Sequence, residues 1–199
     1  MRKAHSISAE TSLVLASVSP RRRSLLAEAG FICEALQPGI DDGQLTPPTG
    51  LSPHHWTAAL AHLKAQAARR LAGVDAGPRT LLIAADTVVV KAGAIIGQAR
   101  DEPDARRILR TLSDGHHQVI SGVALLMGER RMLFTDVADV TVGHLSDEMI
   151  QPYLEGGQWR GKAGAYNLLE RIDAGWPISY AGDPTTIMGL PMRRLTPIL

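Results

Sequence analysis

Residues 15–26 read LASVSPRRRSLL, and the change of pattern within this stretch sets the architecture expected of the whole chain. Leu13–Ser17 (LVLAS) is a short apolar run of the kind a buried strand makes. Ser19 then stands where a helix N-cap is wanted, and Pro20 takes the first helical position, where its missing N–H is harmless. The helix should run to about Ala29, with Gly30 suited to its C-terminal turn. A strand that feeds a helix through a tight corner is the punctuation of a chain that mixes strands and helices.

The same corner carries chemistry. Arg21, Arg22 and Arg23 fall in the first turn of that helix, where each cation opposes the macrodipole at a cost of roughly 0.3 kcal/mol. A bound anion would relieve the opposition. Free N–H groups at the helix start, the Ser17 and Ser19 hydroxyls and the guanidinium forks all suit phosphate oxygens. Helical spacing puts Arg21 above Leu25 and Arg22 above Leu26, so both begin near the buried face. A solvated basic patch accounts for the run equally well, and the corner alone does not separate the two readings.

Outward from the corner, Phe31–Leu36 reads as a second strand and Gln37–Thr49, with GIDDG and PPTG, as a loop. Ser52 and Pro53 open a long helix whose apolar positions Trp56, Leu60, Leu63, Ala67 and Leu71 recur at helical spacing. Lys64 lies about 40° around the helix from Leu60, on the border of that stripe. Leu81–Val90 (LLIAADTVVV) is the strongest strand in the chain. Its residues Leu82, Ala84, Asp86, Val88 and Val90 share one face, and a carboxylate among four apolar neighbours needs a partner, a metal or an open end. Either a functional site or a buried loop cap would satisfy it. Asp101 caps a helix over Glu102–Thr111, and Ser146 caps another, with Asp147 and Glu148 in its first turn. Gln118–Met127 and Arg131–Val142 pair as strands about a turn at Gly128-Glu129-Arg130. The adjacent His116 and His117 should point apart. Lys162, between glycines in GKAGAY, sits where backbone approaches a ligand closely. Asp41 and Asp42 offer oxygens suited to a hard cation, although an exposed turn explains them as well.

Composition narrows the classes. The chain has 199 residues, 45% hydrophobic and 21% charged, with a net charge of +1. That balance gives no global attraction to nucleic acid or to an anionic membrane, so any basic site must be local. A single cysteine, Cys33, cannot form an intrachain disulfide and reads as a structural thiol in a reducing compartment. The polar start MRKAHSISAETS lacks a signal peptide's apolar core, and no apolar run is long enough to span a bilayer. The expectation is a cytoplasmic protein with residues 1–12 as a frayed leader. There is no GxxxxGK[ST] phosphate loop, no GxSxG elbow and no Cys/His zinc spacing.

Taken in order, these segments resemble the Maf family of nucleoside triphosphate pyrophosphatases. The family's LASxSPRRxxLL is matched at Leu15–Leu26, its LAxxKA at Leu60–Ala65 and its AADTVV at Ala84–Val89. LSDGHHQVISGV (Leu112–Val123) follows the LSGxxHxVxTGV pattern. The helix Leu145–Tyr153, KAGAY at Lys162–Tyr166 and GLP at Gly189–Pro191 complete the series. The resemblance covers residues 13–199 as a single Maf-like domain. It implies an elongated mixed α/β (α+β) fold similar to that of inosine-triphosphate pyrophosphatases: a mixed twisted sheet with flanking helices and a cleft between two lobes. It also implies Mg²⁺- or Mn²⁺-dependent hydrolysis of a nucleoside triphosphate to a monophosphate and pyrophosphate. Matched by position, Asp86 is the catalytic carboxylate and a metal ligand, with Asp42 as the second ligand. Ser17, Arg21, Arg22 and Lys64 grip phosphate, and Lys162 is the lysine of KAGAY. Arg21, Thr87 and Leu169 occupy positions associated with base choice, and arginine at Arg21 is similar to the dTTP/UTP branch. Homodimers are common in such a family; nucleic acid and membrane are not expected partners.

Three segments depart from the pattern. Gln98 replaces the lysine of GKP, Gln158 and Gly161 replace two carboxylates of GEPxDKAG, and Leu169 replaces the glutamine of YGIQG. Leucine has no group that reads a base edge, while Glu170 beside it offers a replacement carboxylate. Two functions therefore compete: an active pyrophosphatase, and a catalytically weak nucleotide-binding protein with a regulatory role linked to cell division.

Overall fold

The structure, a computed structural model, describes residues 11–40, 45–71 and 79–199. The expected leader falls mostly on residues 1–10, outside that range. Ser12, assigned above to the leader, already belongs to the first strand.

Among the described residues a seven-stranded mixed sheet runs through the molecule. Strand β1 (Ser12–Leu15) leads into α1 (Pro20–Glu28) and returns to β2 (Glu34–Ala35). Helix α2 (Pro53–Arg70) precedes β3 (Thr80–Lys91), which turns into the short β4 (Ala94–Ile96). After α3 (Glu102–Leu112), strands β5 (Gly115–Met127) and β6 (Arg130–Val142) form a long hairpin. The chain closes with α4 (Asp147–Glu155), α5 (Leu168–Asp173), β7 (Ile178–Ala181), α6 (Pro184–Met188) and α7 (Met192–Leu195). Sheet order is β2-β1-β3-β5-β6-β7, with β4 also on β3. β2, β1 and β3 are parallel and the remaining pairs antiparallel.

Local chemistry accounts for most boundaries. Pro20 and Pro53 sit at helix starts, Ser52 accepts a hydrogen bond from the His55 amide, and Asp101 accepts one from Asp104. Met127 pairs with Arg130, which leaves Gly128-Glu129 as a two-residue turn with Gly128 at φ 56. That left-handed backbone is what a tight hairpin asks of its first turn residue. Among the described residues no helix is long and apolar enough to cross a membrane.

Three expectations need correction. Ser19 occupies the N-cap of α1 without a side-chain capping bond. Instead the Ser17 hydroxyl accepts the Ser19 amide N–H at 3.2 Å. The strand expected over Phe31–Leu36 shrinks to Glu34–Ala35, with Ile32 fully in solvent. An edge strand has one partner, and only the two residues in register with Val14 and Leu15 find it. Finally, α2 buries only part of the expected stripe. Leu60 is buried and Trp56 and Ala67 are half-buried, but Leu63 and Leu71 are exposed, and the rest of the buried face is Thr57, Ala61, Ala65 and Ala68. The reason is proximity: a Cβ on Gly122 of β5 would lie 2.7 Å from the Thr57 carbonyl oxygen. A helix that close to a sheet accepts alanines, and leucines would hold it off.

The core divides into parts. One cluster gathers Val89, Ile108, Leu112, Ile150, Tyr153 and Trp176 around α3 and α4. Another joins α1, α7 and one face of the sheet through Leu15, Leu26, Ile83 and Leu195. A third packs the alanines of α2 on Val14, Leu82 and Ala84. The candidate site lies where these parts meet.

Candidate active site

Strand pairing opens the site. On the β1 side of β3, β1 covers Thr80–Ile83 and β4 covers Val89–Lys91. Between them, residues 84–88 have no strand partner on that side among the described residues. Asp86 and Thr87 fall in this gap. On the other side the same residues are fully paired with β5, so the gap is held open by a rigid strand.

Asp86 points to the α2 face and Thr87 to the α1 face, as strand alternation requires. From α2, Lys64 reaches Asp86 with Nζ–Oδ1 at 2.6 Å, and both side chains are largely buried. Because α2 sits so low on the sheet, a lysine at the border of its buried face arrives at the carboxylate. The pair answers the question raised by a carboxylate on an apolar strand face: it is neutralised by a cation from a neighbouring helix.

On the opposite face Arg22 ties four segments together. Its Nε donates to the Gly189 carbonyl at 2.8 Å, one terminal nitrogen to Thr87 Oγ1 at 3.2 Å and the other to Ser17 Oγ at 3.4 Å. Thr87 Oγ1 lies 2.8 Å from Ser121 Oγ, and Ser121 donates to the Thr186 carbonyl at 2.7 Å. Since Ser121 has one proton and gives it to that carbonyl, Thr87 must donate to Ser121 and accept from Arg22. Gly189 closes the arrangement: it ends α6 at φ 105, and a Cβ there would stand 3.2 Å from both Arg22 Nε and Thr87 Oγ1.

The three arginines therefore have three fates. Arg23 is exposed, Arg22 is engaged with the protein, and Arg21 lines the cleft with its buried Nε lacking a hydrogen-bond partner among the described residues. Ser121, Thr186 and Gly189 were not singled out from the sequence. The available signal was the glycine of GLP, whose need for left-handed backbone appears only once Arg22 is known to pass beside it.

The cleft measures about 480 Å³ and extends from α1 and α2 to the loop before α5. Gln98 lines it and forms an isolated bridge with Ala163. Lys162 lines it too, paired with Glu170 at 3.0 Å. Leu169 is exposed and does not belong to the lining. Gln158 faces away, accepting from Arg171 at 2.9 Å. Asp42 lies outside the described residues. Arg21, Arg22, Lys64, Arg100 and Lys162 all line the cleft, against Asp86 as the single carboxylate among the described lining residues. In a chain of net charge +1 this is a strongly local excess, the field a polyanion would follow inward.

Tyr166 forms part of the wall, and behind it Nε2 of His117 lies 2.8 Å from the tyrosine oxygen. Burial above all, then the Lys91 and His116 charges, pushes the His117 imidazole down to about 4. His117 is therefore neutral around pH 7. His116 bonds Thr141 on the opposite side, so the adjacent histidines do point apart.

A family model described as Maf-like protein matches residues 12–199. A protein of Cereibacter sphaeroides named dTTP/UTP pyrophosphatase is 37% identical over 189 residues, covering 94% of this chain and 93% of its own. One of Porphyromonas gingivalis with the same name is 39% identical over 183 residues, 92% of this chain and 90% of its own. A solved HAM1 protein from Coxiella burnetii is similar over 66% of this chain and 73% of that one, with 15% identity and a TM-score of 0.44.

Proposed function

The chain belongs to the Maf family, and on that premise we propose that it hydrolyses a nucleoside triphosphate to the monophosphate and pyrophosphate, with dTTP or UTP as the preferred class. The observation that carries the reading is the cleft's charge: five cationic side chains line it against one lining carboxylate, with Arg100 and Lys162 also paired to Asp104 and Glu170 outside the lining. A triphosphate is the ligand class that such a field and such a volume would take.

Water attacks the α-phosphorus, the bond to the bridging oxygen breaks, and pyrophosphate leaves. Asp86 takes the proton of that water, and Lys64 holds the carboxylate in place. Arg21 meets phosphate oxygens directly. Arg22 keeps α1, Thr87 and the Gly189 turn in register while facing the same space. Ser17, Thr87, Gln98 and Lys162 complete the substrate contacts, and Leu169 stands outside them. Mg²⁺ binds through one or two carboxylates together with phosphate oxygens, and Asp86, the single carboxylate among the described lining residues, is compatible with that habit when the substrate supplies the other oxygens. Asp86 and Asp42 would hold the ion, which would offset the charge that develops on the leaving pyrophosphate.

The experiment is pyrophosphate release from each of the common and modified triphosphates, with Mg²⁺ or Mn²⁺. Release from dTTP or UTP is expected, and Asp86→Asn should lower it by about 10³-fold while the variant keeps the wild-type fold by circular dichroism. Full activity in that variant would sink the assignment. Gln98 at the place of a lysine, and Lys162 engaged by Glu170, favour the second reading, a nucleotide-binding protein with weak catalysis. Tight binding without release would select it.

A further inference from the structure

The wall of the cleft before α5 carries a side-chain arrangement that the reaction above leaves unused. Asn167 Nδ2 donates to Glu170 Oε1 at 2.6 Å, while Glu170 Oε2 pairs with Lys162 Nζ at 3.0 Å. Asn167 lines the cleft; Glu170 stands behind it at the half-exposed rim. A carboxylate only accepts, so the amide must turn its NH₂ toward Glu170. Its Oδ1 then faces the other way, with no hydrogen-bond partner among the described residues. Lys162 holds the second carboxylate oxygen, which fixes Glu170 and, through it, the amide.

The wall belongs to a segment separate from the one that carries the carboxylate. Ile96 pairs with Val89, Gln98 bridges Ala163 and the chain then leads to Asn167. Asn167 thus lines the cleft from the loop before α5, while Asp86, Lys64, Arg21 and Arg22 line it from β3, α2 and α1.

We infer that Asn167, oriented by Glu170, reads the hydrogen-bonding edge of the base and selects the imide of uracil or thymine over the amino edge of cytosine. The inference rests on the nucleotide reading above. With one N–H committed to Glu170, the amide presents its oxygen and its second N–H in a fixed order. An imide offers a ring N–H beside a carbonyl, matching an acceptor followed by a donor; cytosine offers the reverse. A freely turning amide would suit both, and an anchored one suits only the first. Leu169, exposed and apolar, contributes nothing to that choice.

The test is calorimetric binding of UTP and CTP analogues carrying a methylene group between the α and β phosphorus, which requires no turnover. The wild type should prefer the uridine analogue by about tenfold or more. Asn167→Ala and Glu170→Ala should each bring the two affinities to within about twofold. Glu170→Gln, whose amide oxygen still accepts from Asn167, should keep most of the preference. A preference unchanged in Asn167→Ala overturns the inference, and so does a wild type that binds the two analogues equally or binds neither. A wild type that shows the preference but releases no pyrophosphate from UTP supports the inference while removing the catalytic reading.

Discussion

The two ends of the cleft are built on different principles. At the α1–α2 end, contacts join residues far apart in the chain: Arg22 to Gly189, Lys64 to Asp86, Ser121 to Thr186. Their partners are buried or nearly so, and glycines at 122 and 189 leave room that a methyl group would fill. At the other end, contacts are local and half in solvent: Asn167 and Lys162 with Glu170, Arg171 with Gln158. The departures from the family pattern, at residues 98, 158, 161 and 169, fall toward this second end. Buried long-range bonds resist change because each altered group strands a partner without water to replace it. Rim contacts vary cheaply, so under the proposed function the first end holds the phosphates and the far wall is free to adapt to a base.

The largest effect should come from filling the space under α2. Gly122→Ala puts a Cβ against the Thr57 carbonyl and should cost about 3 kcal/mol in denaturant unfolding; a loss below about 0.5 kcal/mol would break the picture of a rigid first end. His117 tests the boundary between the two ends. Its imidazole is held near 4, below the 6.5 of a free histidine. The unfolded chain therefore takes up the proton first as pH falls. Stability is full above about pH 6.5 and is lost between 6.5 and 4, with a limit on the order of 3 kcal/mol. In His117→Gln that part of the pH dependence should vanish from melts run across the range.

The arginine pair gives a smaller and sharper contrast. Arg22→Ala should destabilise the fold by about 2 kcal/mol, since it removes charge-assisted bonds to three partners. Arg21→Ala should leave stability within about 0.5 kcal/mol and instead raise KM for the triphosphate. Equal losses of stability in both would erase the distinction between them. The smallest effect is expected at the rim, where Glu170→Ala should shift unfolding by less than about 1 kcal/mol.

Much of the first end was legible in the sequence because it depends on period and punctuation. Asp86 on an apolar strand face, Lys64 at the border of a helix stripe and Arg21 and Arg22 above Leu25 and Leu26 all follow from spacing. The α2 face did not, because leucines outrank alanines in any hydrophobic pattern. Only the distance between helix and sheet reverses that order. The resemblance named the amide missing at Leu169, but no pattern showed that Asn167, two residues earlier, lines the cleft.

By itself, then, the sequence determined that strands and helices intermix, where several of those before residue 156 begin and end, that LASVSPRRRSLL makes a corner fit for an anion, and which family the chain resembles. These follow from local propensity and from the order of motifs. The tertiary structure alone decided how the arginines divide their work, which face of α2 is buried, and that β3 is left unpaired on one side at Asp86. Those outcomes depend on register and on close approach between segments as much as 167 residues apart, and no local pattern of side chains encodes such distances.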